Sequence, residues 1–442
     1  MWGGRGPQLV KAGGGGHATL GGTAPDRRSL AALDAVRALA AIGVVLTHVA
    51  AVLVFRGMPL RWAAIGDAGV LVFFVLSGYL IASSVLRPAR FDVRGYMVRR
   101  ALRILPLYYA SMLVALVLID PTPLLSGPGR ADVAAHVVLL HGLARGMRYS
   151  IAGIWWTLTV EWLFYVFMAV VAGVFRRSPY GWLVAIGMIV LGVAWRLVVF
   201  ETSTAPTDSV YLVQQLPGAA DLFGIGMLVA LAARTGAVPR LWRHATLRGA
   251  LLVLSAGLVA GAMYVYYDRK PGYWQDGSMV VLWPLVLAVG VAGMLVCLSR
   301  GTSPWHAVTR WTGLAYLGVI SFGIYLFHPF VIEALDRAWF ANGRTVSALP
   351  FLVAALAATV LVSMMFHYAV ERPAMRWGRR LAGASPDSRR RAVLSALGWA
   401  RAGDGARVVG GEESVPARDA EGAPRAIPGR SDDPALDAAR SR

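Results

Sequence analysis

The chain has 442 residues, of which 57% are apolar and 15% charged, and its mean hydropathy is +0.57. That balance excludes a soluble globular protein and points to a polytopic membrane protein. The formal charge of +19 is carried almost wholly by arginine, because Lys11 and Lys270 are the only lysines, and the arginines sit in tails and beside apolar runs, which suits membrane orientation better than nucleic-acid binding.

Residues 1–28 are rich in Gly and Ala and lack the apolar core of a signal peptide, so they read as a disordered cytoplasmic tail, with the first span left uncleaved. A span needs about 20 largely apolar residues. Ten segments qualify: 32–55, 65–86, 104–119, 154–175, 181–200, 216–233, 247–267, 278–298, 311–334 and 348–370. The run 132–144 is apolar but short, and is expected to be an interfacial or re-entrant helix. With the N-terminus inside, the loop 87–103 is cytoplasmic and carries Arg87, Arg90, Arg94, Arg99, Arg100 and Arg103. The spacing therefore predicts an all-α helix bundle of about ten spans over residues 29–381, with both termini cytoplasmic. Residues 382–442 are rich in Arg, Gly, Pro and Asp and are expected to form a disordered tail. Cys297 lies in an apolar span and forms no intrachain disulfide. No spacing of His, Cys or carboxylates suggests a metal site.

Polar residues interrupt this apolar background in five places. The first is Asp34, Arg37 and His48 in span one, where the ten residues between Arg37 and His48 amount to about three helical turns, roughly 16 Å, and put both side chains on nearly one face. An ionisable group inside a span is costly and marks a functional position by default. The second is Phe73-Phe74-Val75-Leu76-Ser77-Gly78, preceded by Asp67. The third runs from Trp156-Thr157-Leu158 through Glu161 to Phe164-Tyr165. The fourth is Ser321-Phe322-Gly323-Ile324-Tyr325-Leu326-Phe327-His328, and the fifth is Glu371-Arg372-Pro373 at the end of the last span. Asp221, inside span six, is a further buried acid, with a site role and a contact to an arginine as its two readings.

In this order the motifs resemble the acyltransferase-3 family of integral membrane acyltransferases, over roughly residues 29–380. The resemblance rests on the Arg37–His48 spacing, the FFVLSG run, W-x-L-x-x-E-x-x-F-Y and S-F-x-x-Y-L-x-H. Arg100 and Arg103 add an Arg-x-x-Arg pattern. The chain departs from the family at Leu71, where a polar residue is frequent, and at Met168-Ala169, where a proline is frequent. The form expected is the stand-alone one, without an appended hydrolase-like domain. The resemblance implies a bacterial inner-membrane enzyme that moves an acyl group, usually acetyl, from acyl-CoA to a hydroxyl of a sugar or other acceptor, with no bound cofactor.

The residues then acquire expected roles. Imidazole, with an ordinary pKa of about 6.5, suits a general base that removes a hydroxyl proton, which assigns His48. Helical rise puts His48 and Glu161 at comparable depth, so Glu161 is expected to orient the imidazole or stabilise its charged form. Arginine matches phosphate geometry, which suits Arg37, Arg100 and Arg103 to binding or positioning the donor. Arg37 paired with Asp34 can also serve as a snorkelling anchor. Ser77, Tyr165, Asp221, Ser321, Tyr325 and His328 are possible site-lining residues. Ser77 has the plainer reading of a hydroxyl bonded to its own helix, and Gly78 that of close helix packing. His136 and His141 are read as loop or interface residues. The acceptor remains open between a glycoconjugate and a small lipophilic molecule such as an antibiotic or glycolipid. The route remains open between direct transfer and a covalent acyl-enzyme. A transporter or flippase is the competing class, against which stands the lack of repeat symmetry.

Overall fold

The computed structural model describes residues 27–234, 238, 244–299, 309, 312–340 and 347–383, with side chains from residue 30 onward. The two expected tails fall outside the described residues, apart from a few positions at their inner ends. Among the described residues the regular elements are all helical, and nine helical stretches are long and apolar enough to cross a membrane. The principal helices are α1 (Arg27–Phe55), α2 (Gly69–Leu86), α3 (Val93–Val114), α4 (Gly127–Val137), α5 (Trp156–Phe175) and α6 (Tyr180–Thr202). They continue with α7 (Leu216–Arg234), α8 (Ala245–Arg269), α9 (Trp283–Leu298), α10 (Ser321–Trp339), α11 (Ala348–Phe366) and α12 (Arg372–Gly383).

Three expectations change. The segment carrying Arg94, Arg99, Arg100 and Arg103 is not a loop but the first turns of α3, which puts Arg100 and Arg103 on one face at a spacing of three. The expected span 311–334 is a short helix, Leu314–Val319, followed by α10, and α10 is absent from the nine apolar stretches. Its second half carries Glu333, Asp336 and Arg337, whereas the first half is buried in the bundle. The last span, expected over 348–370, does not stop there: the helix passes through a wider, π-type turn at His367–Glu371 and continues as α12. The apolar run 132–144 is, as expected, too short to span; it forms the end of α4 and a single turn at His141–Leu143.

Two apolar cores hold the bundle. The larger joins α2, α5 and α7 through Phe74, Phe164 and Phe223, with the rings of Phe164 and Phe223 stacked at 4.1 Å. The smaller packs Val45, Val49 and Leu53 of α1 against Ile320, Ile324, Phe351 and Ala355. α1 therefore has two buried stripes, consistent with a helix that is apolar all round. Close backbone approach is built in at two glycines. A Cβ on Gly66 would lie 1.9 Å from the Gly43 carbonyl oxygen, which seats the turn Ala63–Ala68 directly on α1. A Cβ on Gly78 would lie 2.2 Å from the Phe223 carbonyl oxygen, so α2 and α7 cross in backbone contact, as the packing reading of Gly78 requires.

Candidate active site

A cavity of about 120 Å³ lies between α1, α2, α3, α5 and α10. Arg37, Arg100 and Arg103 line it together with Glu161 and Tyr165, and Ser77, Ser321 and Tyr325 complete its polar wall. Eight of the sequence-expected site residues, contributed by five helices, thus meet in one place. Helix geometry explains the convergence: Arg100 and Arg103 are three residues apart, Glu161 and Tyr165 four, and Ser321 and Tyr325 four, so each pair shares a face.

The arginines are held individually. Arg37 pairs with Asp34 at 3.8 Å, so Asp34 acts on the cavity through Arg37 and does not line it. Arg103 pairs with the fully buried Glu371, whose other carboxylate oxygen accepts from His367 Nδ1 at 2.8 Å. Arg100 lies 5.5 Å from the Tyr96 ring centroid and 5.6 Å from that of Tyr165. Arg94 and Arg99 are exposed and do not line the cavity. Glu371 stood out in the sequence only as a polar residue at the end of the last span; its role beside the cavity was missed, because its partner is 268 positions away and nothing local signals the contact.

Glu161 accepts hydrogen bonds from Tyr165 Oη at 2.6 Å and from Ser77 Oγ at 3.1 Å. Both expectations for this group are corrected. Ser77 bonds across to α5 and not to its own helix, and Glu161 faces Ser77 and Tyr165 and not the imidazole of His48. Equal depth did not translate into contact, because Tyr325 of α10 is anchored one turn above Glu161. Its hydroxyl donates to the Ile154 carbonyl at 2.7 Å and lies 2.7 Å from Thr157 Oγ1.

His48 is half-buried and lines neither this cavity nor the larger one described below. Its Nδ1 lies 2.9 Å from the Val44 carbonyl and 3.3 Å from Nε2 of the fully buried His328. His328 Nδ1 in turn lies 3.1 Å from the Ile324 carbonyl. A carbonyl only accepts, so both Nδ1 atoms carry the proton. His328 Nε2 then offers a lone pair to the His48 Nδ1–H, and His48 Nε2 is left unprotonated and basic. His328 does not line the cavity, and its ring lies 6.0 Å from that of Tyr325, which does.

Asp221 belongs elsewhere. It forms a two-pronged pair with Arg196 at 2.9 and 2.5 Å, both side chains are buried, and it lines no cavity described here. This is the arginine contact, not the site role. His136 and His141, expected as loop residues of little weight, are fully buried and stacked at 3.9 Å with an interplanar angle of 8°. Leu139, with φ of 58°, turns the chain back after α4 and lays one ring on the other. Burial pushes the imidazole of His141 down to about 3 and lowers that of His136.

The acyltransferase-3 family, described as an acyltransferase domain, matches residues 30–368. The chain belongs to the acyltransferase-3 family. It is 26% identical to YrhL of Bacillus subtilis over 377 residues, covering 80% of this chain and 56% of that one. It is 30% identical to the exopolysaccharide production protein ExoZ of Rhizobium meliloti, covering 71% of this chain and 91% of that one. The peptidoglycan O-acetyltransferase OatA of Listeria monocytogenes is 24% identical, with 68% of this chain and 49% of that one matched. The chain thus spans about half the length of two of these acyltransferase-3 relatives. No solved structure matches it. Family membership and the apolar helices together make it an integral, multi-pass membrane protein.

Proposed function

We propose that the protein is a membrane O-acyltransferase that moves an acetyl group from acetyl-CoA to a hydroxyl of a sugar or glycoconjugate, at the bacterial inner membrane. The observation that carries this reading is the cavity where Arg37, Arg100 and Arg103 converge, one aromatic ring away from the His48–His328 pair. The names of two relatives, one a peptidoglycan O-acetyltransferase and one an exopolysaccharide production protein, support a sugar-polymer acceptor.

On this reading the arginine-rich end faces the cytoplasm. The planar guanidinium groups bind the CoA phosphates, and in a water-poor cavity such contacts are stronger than on an open surface. Glu161, Tyr165 and Ser77 supply hydrogen bonds beside the arginines. The pantetheine arm passes Tyr325 toward His48. His48 Nε2 takes the acceptor hydroxyl proton as the oxygen attacks the thioester carbonyl carbon. The C–S bond breaks, and the departing thiolate receives the proton from the imidazolium. The Val44 carbonyl and His328 Nε2 both accept from Nδ1–H, so they stabilise the imidazolium while it exists.

The test uses full-length protein in lipid nanodiscs with radiolabelled acetyl-CoA and neutral oligosaccharides. General-base catalysis contributes about 10²–10⁴-fold. His48→Ala is expected to lower kcat at least a hundredfold while acetyl-CoA binding changes less than twofold. Turnover retained in His48→Ala would remove the assignment.

A further inference from the structure

A second, larger cavity of about 310 Å³ has no part in the site so far described. It lies at the opposite end of the bundle from the arginines. Val213 and Gln214 just before α7 and Tyr273 and Trp274 just after α8 line it, and Asp67 reaches in to the level of Gly43 of α1, on which its neighbour Gly66 packs. Lys270 follows directly on α8 and meets Asp67 there, 2.7 Å from its carboxylate.

The walls have a distinctive composition. Tyr266 and Trp283 stack at 4.2 Å, Tyr273 stands edge-on to both, and Trp274 packs against Tyr273 at 4.9 Å. The charges in the wall are already matched: Asp67 with Lys270, and Arg196 with Asp221. An anionic ligand therefore finds no unpaired cation. Two polar atoms remain enclosed without a hydrogen-bond partner, Oδ1 of Asp67 and Nε of Arg196. One accepts and the other donates, which is the pair of roles that a hydroxyl fills. A hydrocarbon chain would leave both unsatisfied at a cost. Aromatic faces beside a few placed polar groups suit the C–H face and hydroxyl rim of a sugar ring, and the volume lies within the range of small-molecule sites.

The position of the cavity matters as much as its lining. Val70 and Phe74, four residues apart on α2, belong to the walls of both cavities, so a single layer of side chains separates them. We propose that this aromatic cavity is the acceptor site and that it takes a neutral sugar unit of a glycan, entering from the end opposite the donor. This rests on the acyl-transfer reading above.

Direct binding separates the two. Full-length protein in nanodiscs, free of detergents with sugar headgroups, is titrated with tetramers of N-acetylglucosamine, glucose and galactose while tryptophan fluorescence is followed. Acetyl-CoA binding serves as the folding control. At least one tetramer is expected to bind, and Trp274→Ala and Lys270→Gln each to weaken that binding tenfold or more, with acetyl-CoA binding within twofold of the parent. In turnover, the same variants raise the acceptor KM with little change in kcat. Binding of no tetramer, or binding unchanged in both variants while acetyl-CoA still binds, overturns the proposal. Sugar binding lost in the variants without any acyl transfer in the parent protein upholds the sugar site and sinks the transfer reading instead.

Discussion

Glu371 offers the sharpest test of how the donor end is built. Its carboxylate is fully buried and holds Arg103 across 268 positions of sequence, while His367 occupies its second oxygen. Glu371→Gln keeps the shape but removes the charge that faces the guanidinium. A hydrogen bond to a charged group contributes about 1.5–3 kcal/mol. If the whole of that contribution orients Arg103 for the donor, the loss corresponds to about a tenfold to hundredfold weaker interaction. Steady-state kinetics should show the acetyl-CoA KM raised about tenfold, with kcat changed less than threefold. A double-mutant cycle with Arg103→Gln isolates the pair. Once Arg103 is gone, Glu371→Gln should add almost nothing to KM. Additive effects of the two substitutions would refute the idea that Glu371 acts through Arg103, and an unaltered KM in Glu371→Gln alone would refute it outright.

Two further outcomes are expected, both read as thermal stability of the solubilised protein. Asp221→Ala strands the buried Arg196 charge, and breaking one side of such a pair costs about 3–5 kcal/mol; the double change with Arg196→Met should recover much of that loss, and equal stability of Asp221→Ala and the parent would return Asp221 to the list of site candidates. The stacked pair of His136 and His141 predicts a pH dependence. Their folded pKa values lie below the unfolded value of about 6.5, His141 at about 3, so the stability they contribute is present above pH 6.5 and is lost as pH falls through the range between. Each neutral buried histidine contributes a slope of up to about 1.4 kcal/mol per pH unit there, with Asp132 opposing the shift of His136 and Arg148 reinforcing that of His141. Thermal scans at pH 7, 6 and 5 should fall in order, and His141→Phe should flatten the series; an equally steep series in that variant would exclude the pair as the source.

Much of the molecule was legible in the chain itself. Apolar runs of span length at once dictate a helical membrane bundle, because lipid offers no partner for a free backbone amide. The polar residues that interrupt those runs are expensive, and eight of them do converge on one cavity. Glu161 with Tyr165 and Ser321 with Tyr325 stand four apart within expected spans and so share faces, whereas Arg100 and Arg103, expected in a loop, do so only because α3 begins at Val93. What one helix cannot specify is which neighbour it meets. Ser77 with Glu161, Arg103 with Glu371, Arg196 with Asp221 and His48 with His328 are contacts between different helices, from 25 to 280 positions apart. So is the aromatic cavity, assembled around Asp67 and Lys270 from 203 positions apart. Period and hydropathy are properties of a single helix, whereas the depth, rotation and partner of each side chain follow from close approach between helices, set at points such as Gly66 and Gly78 where a missing Cβ lets two backbones touch. Only the folded bundle decides those.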